Sequence, residues 1–540
     1  MYSSLKSFVS ELEKQGELIR VSEFVDPLLE IAEVTRRIAA GENGGKAVLF
    51  ENTGTRFPVL TNLLGSRRRV LMALGLDSYD GLTSRIDDLI EALFPQGNGF
   101  TDKLRLLPAL NEVSSWVPKS FKGSAPCHEA VQYNAHLSQI PLLKCHPNDA
   151  GRLITRAMVA TADPNDGKCS LEWCRLQAVD DCSALIDLDG RSAASRNLAA
   201  CTHRLPVAVF LGGDPAYALA AGSPLPPGID GFTFAGFLRR DHVDLVDCFT
   251  QNLKVPSDCE FVIEGYIQKS EALFEEGPFC ENTGFHSPRA MRPKLHVTCI
   301  SHRHDAIWCA PVTNLPPNEE SFMREASLRL FTEAFRRLSA PSLKEISVPL
   351  SCAGANVAFV RMARSFEGEP FLLANSLWGS PALASNKFLV MVDRDVDVSS
   401  TGSVLKAVAE NCRPDIDVMT SRAPSWGRDH AAPAGSTSGR LCIDATSHGT
   451  PATGRSLADV VRVAFDQEEA ASPVERKLWL IGCNCDALRD SSISGGVLSL
   501  DARSKMKMPG LRCEWPDIVS PSEDVRAAVD SKWPRLGINL

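Results

Sequence analysis

Acid–base chemistry is suggested by one short segment of the sequence, residues 276–284. Glu276 and Glu281 stand five residues apart, on either side of a Gly-Pro pair, and Gly284 closes the segment. Because glycine and proline exclude a continuous helix, the segment is predicted to be a shaped loop. Neighbouring carboxylates push each other's pKa apart, so one of them can stay protonated near neutral pH and transfer a proton. The alternative is a solvated acidic loop without a chemical role.

Length and composition are those of a multidomain globular protein. The 540 residues exceed what one ordinary core organises, which predicts roughly two to four domains. A hydrophobic content of 44% with 23% charged residues fits this class. No apolar run is long enough to span a membrane, and the N-terminus lacks the apolar core of a secretory signal. We therefore expect a cytoplasmic protein that does not associate with membranes.

Charge and cysteine usage argue against a nucleic-acid-binding protein and against a zinc-knuckle protein. A net charge of −9 and a pI near 5.8 argue against a nucleic-acid partner. The one basic cluster, Arg67–Arg69, is interpreted as an exposed turn or an interface patch. The 17 cysteines are spread along the chain, and Cys483 and Cys485, the only close pair, lack the spacing of a zinc knuckle. Most of them are expected to be buried thiols.

Hydrophobic periodicity divides the chain into four parts. Residues 1–115 alternate helical and strand patterns, which predicts an α/β domain. Residues 116–318 consist of short β-rich runs between Gly and Pro clusters, which predicts a barrel or sandwich of mostly antiparallel strands. Residues 319–450 begin with a helix and return to an α/β pattern. Residues 451–540 are expected to form a helical extension, with a helix around Leu457 to Glu469.

A series of short segments occurs in a characteristic order along this chain. They are Asp26-Pro27, Phe57-Pro58-Val59, Leu64-Gly65-Ser66, 211–216, 234–239, the loop 276–279, 392–397, Asp429-His430-Ala431 and 443–446. In these segments the chain resembles the UbiD family of decarboxylases over roughly residues 4–450. The loop 276–279 is the most characteristic of them.

The resemblance implies a fold and an assembly. It implies an N-terminal α/β domain, a central split β-barrel of the flavin-reductase-like kind that holds the active site, and a C-terminal α/β domain used for oligomerisation. Since family members usually form dimers or hexamers, we expect a homodimer or a homohexamer.

The resemblance also implies the chemistry. Family members are typically reversible decarboxylases of aromatic or α,β-unsaturated acids, and they use prenylated FMN bound through a divalent metal. Their catalytic residues match Arg175, Glu276 and Glu281 here. Arg175 would hold the substrate carboxylate by two parallel hydrogen bonds, and Glu276 would hold Arg175 in place. Glu281, with a pKa raised by Glu276 and by burial, would protonate the carbon that CO2 leaves.

Several positions that contact the cofactor depart from the family pattern. Glu172-Trp173-Cys174 replaces a small-apolar-aromatic run, and Asp187-Leu188-Asp189 replaces an Arg-Trp-Leu-like segment. The two added carboxylates are expected near the cofactor phosphate. Cys280 stands where a glycine is usual and is interpreted as an inert small residue, because the neighbouring carboxylates raise a thiol's pKa. The residues predicted to bind the cofactor are Trp173, Cys174, Arg191, Ser223, Pro224 and Lys387.

The metal ligands of the family are missing. The family's asparagine and glutamate correspond to Ser170 and Gly231, and no histidine occurs between His146 and His203. Serine is a poor ligand for a hard divalent ion and glycine offers no side chain. We therefore expect no divalent metal, with prenylated FMN held without one or no cofactor at all.

Arg191 falls where ungapped counting puts the family's metal-binding histidine. One hypothesis is that its guanidinium replaces the metal as an anchor for phosphate or carboxylate. The alternative is an arginine on a solvated loop, paired with Asp187 or Asp189.

Three functions follow from these observations. The first is a carboxy-lyase that acts on a small unsaturated, aromatic or β-keto acid with altered use of the cofactor. The second is a cofactor-independent hydrolase or isomerase that uses Arg175, Glu276 and Glu281 for proton transfer. The third is a non-catalytic paralogue that partners an active subunit.

Overall fold

The structure is a computed structural model, in which no helix of the described residues is long and apolar enough to cross a membrane. The cysteines are free thiols. The described residues are 2–93, 100–188, 190–225, 228–352, 356–425, 428–435, 437–449 and 454–538.

The N-terminal part combines a small sheet with surrounding helices. Its elements are α1 (Leu5–Lys14), β1 (Leu18–Phe24), α2 (Glu30–Ala39), β2 (Ala47–Asn52), β3 (Val59–Thr61), α3 (Arg67–Leu74), α4 (Asp80–Leu93) and α5 (Phe100–Trp116). α1 forms because its apolar residues, including Phe8 and Leu12, share one buried face and the Ser4 hydroxyl caps its first turn. β1 pairs with β2 in parallel, and β2 pairs with β3 in antiparallel.

The basic cluster lies in α3, so the sequence prediction of an exposed turn or patch is wrong for Arg69. Its side chain is fully buried. Its guanidinium donates to a carboxylate oxygen of Glu17 at 2.9 Å and to the carbonyl oxygen of Leu63 at 3.0 Å. These bonds explain the burial, because a buried cation is tolerated when it is paired and hydrogen-bonded.

The central part is a closed barrel. Its elements are β4 (Lys119–Ser120), β5 (Ala130–Gln132), β6 (Leu153–Ala162), β7 (Cys169–Asp180), β8 (Ser183–Ile186), α6 (Ala193–Ala200), β9 (Arg204–Leu211), α7 (Ala216–Ala221), α8 (Gly231–Arg239), β10 (Asp244–Asp247), β11 (Lys254–Pro256), β12 (Phe261–Gln268), β13 (Phe274–Glu276), β14 (Ala290–Arg292), β15 (Lys294–His302) and β16 (Trp308–Cys309). The antiparallel order β12-β9-β6-β7-β8-β15 closes where β12 also pairs with β15. The predicted barrel is confirmed, and β16 joins it to the N-terminal part by pairing with β3.

The C-terminal α/β part has helices on both faces of its sheet. Its elements are α9 (Glu319–Leu338), β17 (Leu343–Ser347), β18 (Val357–Met362), α10 (Glu369–Trp378), β19 (Phe388–Asp393), α11 (Thr401–Asn411), α12 (Pro414–Asp417), β20 (Val418–Pro424) and β21 (Thr437–Asp444). Alternate residues of the buried strand β19 face the two layers. Leu389 packs in a cluster with Leu373 of α10, and Val390 packs in a cluster with Val404 of α11.

The segment after residue 450 contains strands as well as helices. Its elements are β22 (Val461–Ala464), α13 (Val474–Asn484), β23 (Ser491–Ser494), β24 (Val497–Asp501) and α14 (Glu523–Lys532). The helix predicted around Leu457 to Glu469 is wrong, since a strand occupies its middle. β22, β24 and β23 form a three-stranded sheet. α14 returns to the N-terminal part, where Lys532 forms an ion pair with Glu30 of α2 at 2.6 Å.

Candidate active site

Arg175 of β7 lies at the centre of a group of buried charges. Its Nε and Nη2 donate to the two oxygens of Glu276 at 3.1 and 3.3 Å, and its Nη1 donates to Glu281 at 2.9 Å. Nη2 also donates to Asp187 at 3.2 Å. The guanidinium stands 4.7 Å from the ring centre of Phe279. The three residues that the family resemblance assigns to catalysis are therefore in direct contact.

The loop between β13 and β14 positions both glutamates. Glu276 ends β13 opposite Ala290 of β14. The chain then turns back on itself, and the amide of Glu281 donates to the carbonyl oxygen of Phe285 at 2.9 Å. Gly284 has a φ of 82°, and a Cβ there would lie 2.8 Å from the Leu315 side chain. Glycine is required at this turn by both its backbone conformation and its close packing.

The two glutamates differ in their electrostatic surroundings. Burial raises the pKa of Glu276 above its ordinary value, although Arg175 opposes the shift. Burial also raises the pKa of Glu281, but the charges of Arg428 and Arg175 outweigh it and lower that pKa to about 2. The predicted raised pKa of Glu281 is therefore wrong for this arrangement. The reason is Arg428, whose Nε lies 2.9 Å from the second oxygen of Glu281.

Two further arginines complete the charged group, and neither follows from the motif. Arg292 of β14 lies 2.7 Å from Asp187 and 3.6 Å from Glu276. Asp187 thus pairs with the active-site arginines, and the neighbouring Asp189 lies outside the described residues. The charges of Arg175, Arg292 and Arg428 match in number those of the carboxylates of Asp187, Glu276 and Glu281. One signal for Arg428 was available in the sequence, because it directly precedes the family segment Asp429-His430-Ala431.

This charged group opens into a cavity of about 1190 Å³, here called the acid–base cavity. His286 also lines it, with an Nδ1 that has no hydrogen-bond partner among the described residues. Burial lowers the pKa of His286, so its imidazole is neutral at pH 7. Burial raises the pKa of the Cys280 thiol well above its ordinary value, in line with its interpretation as inert. The charged residues that line the inner end of the acid–base cavity are Arg175, Asp187, Glu276, Glu281, Arg292 and Arg428.

A second cavity of about 630 Å³ contains most of the positions assigned to the cofactor. Trp173, Arg191, Ser223 and Pro224 line it. Of these, Trp173 and Arg191 also line the acid–base cavity. The two cavities are therefore adjacent, and a ligand in one can approach the other.

Two of the six cofactor-assigned residues lie elsewhere. Cys174 is buried in the apolar core of the barrel. Lys387 is buried in the C-terminal part, where its Nζ donates to Asp429 at 2.9 Å and to the carbonyl oxygen of Cys485 at 2.8 Å. Neither residue is among the described residues that line the two cavities.

The residues at the family's metal position do not fit a divalent cation. The Ser170 hydroxyl lies 2.7 Å from the Thr161 hydroxyl and receives a hydrogen bond from Asn197 at 3.4 Å. At Gly231, a Cβ would lie 2.4 Å from the Cβ of Leu171. The space for a glutamate side chain is thus filled by Leu171. One weak ligand, already engaged, cannot hold a hard divalent ion.

Cationic side chains surround the second cavity instead. Arg156, Arg324 and Arg428 line it together with Glu320. Arg156 pairs with Glu320, and Arg428 lies 3.9 Å from the same carboxylate. Burial lowers the pKa of Arg324 to about 10, which still leaves it charged at pH 7. Arg428 is already paired with Glu281 at 2.9 Å, so Arg156 and Arg324 facing Glu320 leave one positive charge in this part of the cavity.

Family models match this chain over most of its length. The model for the 3-octaprenyl-4-hydroxybenzoate carboxy-lyase Rift-related domain matches residues 119–316, and the N-terminal and C-terminal domain models match residues 9–89 and 321–445. The chain belongs to the UbiD family of carboxy-lyases. This family membership makes it a carboxy-lyase by class, and the resemblance seen in the sequence is confirmed.

Relatives of this UbiD-family chain include two uncharacterized proteins. One, from Aquifex aeolicus, is 31% identical over 541 residues, which cover 99% of each chain. The other, from Archaeoglobus fulgidus, is 35% identical over 451 residues, which cover 82% of this chain and 92% of the relative.

Solved structures of UbiD-class enzymes share the fold. HmfF from Pelotomaculum thermopropionicum, in complex with FMN, is 26% identical with a TM-score of 0.68 and covers 82% of this chain and 94% of its own. Vanillic acid decarboxylase from Sedimentibacter hydroxybenzoicus, in closed form, is 24% identical with a TM-score of 0.73. It covers 83% of this chain and 93% of its own and shows the fold alone.

Proposed function

We propose that this UbiD-family chain decarboxylates a small unsaturated, aromatic or β-keto acid with Arg175, Glu276 and Glu281 as its reactive residues. The observation that carries the proposal is the contact of Arg175 with both glutamates at the inner end of the acid–base cavity. An arginine suits the recognition of a carboxylate because its planar fork matches the two oxygens. Two carboxyl groups at the same place provide for proton transfer.

Binding of the acid is coupled to uptake of a proton. The three arginines and three carboxylates of the site are balanced, so a substrate carboxylate brings one excess negative charge into a poorly solvated place. Its attraction to Arg175 and Arg428 weakens their hold on Glu281, whose pKa rises toward that of Glu276. The two glutamates then titrate as a pair and take up one proton. Affinity for the acid should accordingly increase as the pH falls toward the raised pKa.

Loss of CO2 breaks the bond between the carboxylate carbon and its neighbour and leaves an electron pair on that neighbour. Glu281 is the proton donor to this carbon, because its side chain is 6% exposed, whereas that of Glu276 is 1% exposed. Both carboxylate oxygens of Glu276 accept hydrogen bonds from Arg175, and Arg292 lies nearby. Glu276 therefore holds Arg175 in position. The carboxylate of Glu281 is then reprotonated from water.

The electron pair needs an acceptor, which prenylated FMN supplies when it is bound and which a β-keto group of the substrate could supply without it. The second cavity would hold a flavin. Arg191 and Arg324, with the hydroxyl of Ser223, would contact its phosphate, and no divalent metal takes part. HmfF binds FMN and, in an evolved dimeric form, prFMN. A homodimer or homohexamer remains a prediction for this chain.

Exchange of labelled CO2 tests the proposal. Purified protein, loaded with prenylated FMN or left without it, is incubated with 13C-bicarbonate and a panel of cinnamic, hydroxybenzoic and β-keto acids. We expect incorporation of label into at least one acid, lost in Arg175→Gln. Calorimetry of acid binding in buffers of different ionisation enthalpy should count about one proton taken up. Label in no acid under either condition would overturn the lyase function.

A non-catalytic paralogue is the second candidate. It is favoured by the loss of the family's metal position, where the Ser170 hydroxyl is engaged and Leu171 fills the space beside Gly231. Such a chain would bind no flavin and would stabilise a partner subunit. Bound flavin absorbs in the visible range, so a flavin spectrum of the purified protein would count against the paralogue. If no flavin is bound, 13C exchange into a β-keto acid decides between the two candidates.

A further inference from the structure

Residues 503–522, here called the strap, include a stretch that lines the acid–base cavity. At its start the strap is bonded to the C-terminal part. The amide of Arg512 donates to the carbonyl oxygen of Ala432 at 3.0 Å, and the amide of Ala434 donates to that of Gly510 at 2.8 Å. Lys505 is buried and donates to three carbonyl oxygens, those of Asn484, Asp501 and Arg503.

At its far end the strap is hydrogen-bonded to the loop between β13 and β14. The amide of His286 donates to the carbonyl oxygen of Asp517 at 3.1 Å, and the amide of Val519 donates to that of Gly284 at 3.0 Å. Phe285 and Ile518 form a β-bridge between these bonds. The strap therefore joins the loop that carries Glu281 to the C-terminal part that carries Arg428.

Between its two ends the strap forms one side of the acid–base cavity, with residues 512–517 among the lining. Trp515 is the large apolar residue of this stretch, and its indole is half-buried. The ring of His430 meets it edge-on with ring centres 4.7 Å apart, a contact that restrains the indole of a residue that lines the cavity. The family models end at residue 445, so this side of the cavity comes from a segment that they do not include.

We propose that Trp515 is a specificity-determining residue, which admits planar acids and excludes bulky or saturated ones. The proposal rests on the proposed function, since the acid's carboxylate is taken to lie at Arg175. A flat conjugated acid presents a face or an edge that an indole contacts closely. A puckered saturated ring of the same carbon number cannot make the same contact. The strap thus selects the body of the acid, while the arginines select its carboxylate.

Binding of two matched acids tests the proposal without any need for turnover. Isothermal titration calorimetry compares benzoate with cyclohexanecarboxylate, which have the same number of carbons. Wild-type protein should bind benzoate more tightly. Trp515→Ala should weaken benzoate binding by roughly three- to ten-fold and remove the preference, and Trp515→Phe should restore most of it. Met506→Ala, an exposed residue of the same strap, should leave both affinities unchanged.

The possible results separate this inference from the proposed function. Unchanged preference in Trp515→Ala, or no binding of benzoate by the wild type, overturns the role of Trp515, whether or not 13C exchange is seen. A preference that depends on Trp515 in a protein that exchanges no label supports the role of the strap and counts against the lyase. Amide hydrogen exchange at Val519 shows whether the strap is still in place in each variant.

Discussion

Two positions on strand β7 differ in how closely they follow the family pattern. Arg175 keeps the contacts with Glu276 and Glu281 that the family resemblance implies. Ser170, five residues earlier, no longer offers a metal ligand, and its hydroxyl is engaged by Thr161 and Asn197. The comparison indicates that the buried charged group around Arg175 can be kept in this barrel when the residues at the family's metal position are not.

The physical reason lies in how each place is held together. The side chains of the charged group around Arg175 depend on one another. Each carboxylate there has an arginine partner, so removal of either partner leaves an unpaired buried charge. The metal position has no such internal coupling. Once its glutamate is a glycine, Leu171 fills the space and the strand closes over it.

Substitution of Glu281, the proposed proton donor, should have the largest effect on turnover. Glu281→Gln keeps the size of the side chain but removes the transferable proton, so turnover of an acid found by screening should fall about 100- to 10,000-fold. Steady-state kinetics measure the loss, and circular dichroism confirms folding. Glu275→Gln is the matched control, because Glu275 is an exposed neighbour paired with Arg289. Wild-type turnover by Glu281→Gln would show that Glu281 is not the acid.

Removal of the central arginine should affect stability as well as turnover. Arg175→Ala leaves Asp187, Glu276 and Glu281 short of a partner, which should lower the free energy of unfolding by about 3–5 kcal/mol. Urea unfolding measures the change. Arg289→Ala removes an exposed ion pair and should cost no more than about 1 kcal/mol. Equal costs for the two variants would contradict the interdependence of the charged group.

A side chain at position 231, where the family has its metal-binding glutamate, should destabilise the fold. Gly231→Ala places a Cβ 2.4 Å from the Cβ of Leu171 and should destabilise the fold by about 1–3 kcal/mol. Gly190→Ala is the control, since a Cβ there meets nothing within 4 Å. Elemental analysis after dialysis against chelator should find no stoichiometric Mn²⁺ or Mg²⁺ in the wild type. One retained ion per chain would remove the contrast between the two places.

The smallest effect is expected at Arg191, on the rim shared by both cavities. If its guanidinium contributes to an anion site, Arg191→Ala should weaken FMN binding several-fold at low salt and less at high salt, because screening reduces the attraction. Fluorescence titration with FMN measures this. Arg394→Ala, an exposed arginine elsewhere, should change nothing. Equal affinities for wild type and Arg191→Ala would assign Arg191 to the solvated loop.

Local patterns predicted a barrel or sandwich for the central part, and the resemblance to the UbiD family narrowed this to the barrel that the structure has. The same resemblance selected Arg175, Glu276 and Glu281, which the structure brings together. The helix predicted around Leu457 to Glu469 failed because its apolar residues serve a short strand that pairs with β24. That pairing is decided by residues more than thirty positions away, which periodicity within a window does not include.

The electrostatics of the site could not be predicted from the motif. Two neighbouring glutamates suggested a raised pKa for Glu281, but the direction of the shift depends on Arg428, which approaches from the C-terminal part. The strap was missed for the same reason. Its residues have no unusual composition, and only the folded chain brings Trp515 beside a loop more than two hundred residues earlier.

The strap also has a consequence for how the protein matures during synthesis. Arg37 of α2 and Asp530 of α14 form an ion pair although they are 493 positions apart, and residues 503–538 leave the ribosome after the parts of the chain that they connect. Domains generally fold in the order in which they are translated. A nascent chain can thus hold a folded barrel with the loop that carries Glu276 and Glu281 while one side of the cavity is still missing. The cavity acquires its final lining only after translation of the strap, so the selectivity proposed for Trp515 would arise later than the barrel itself.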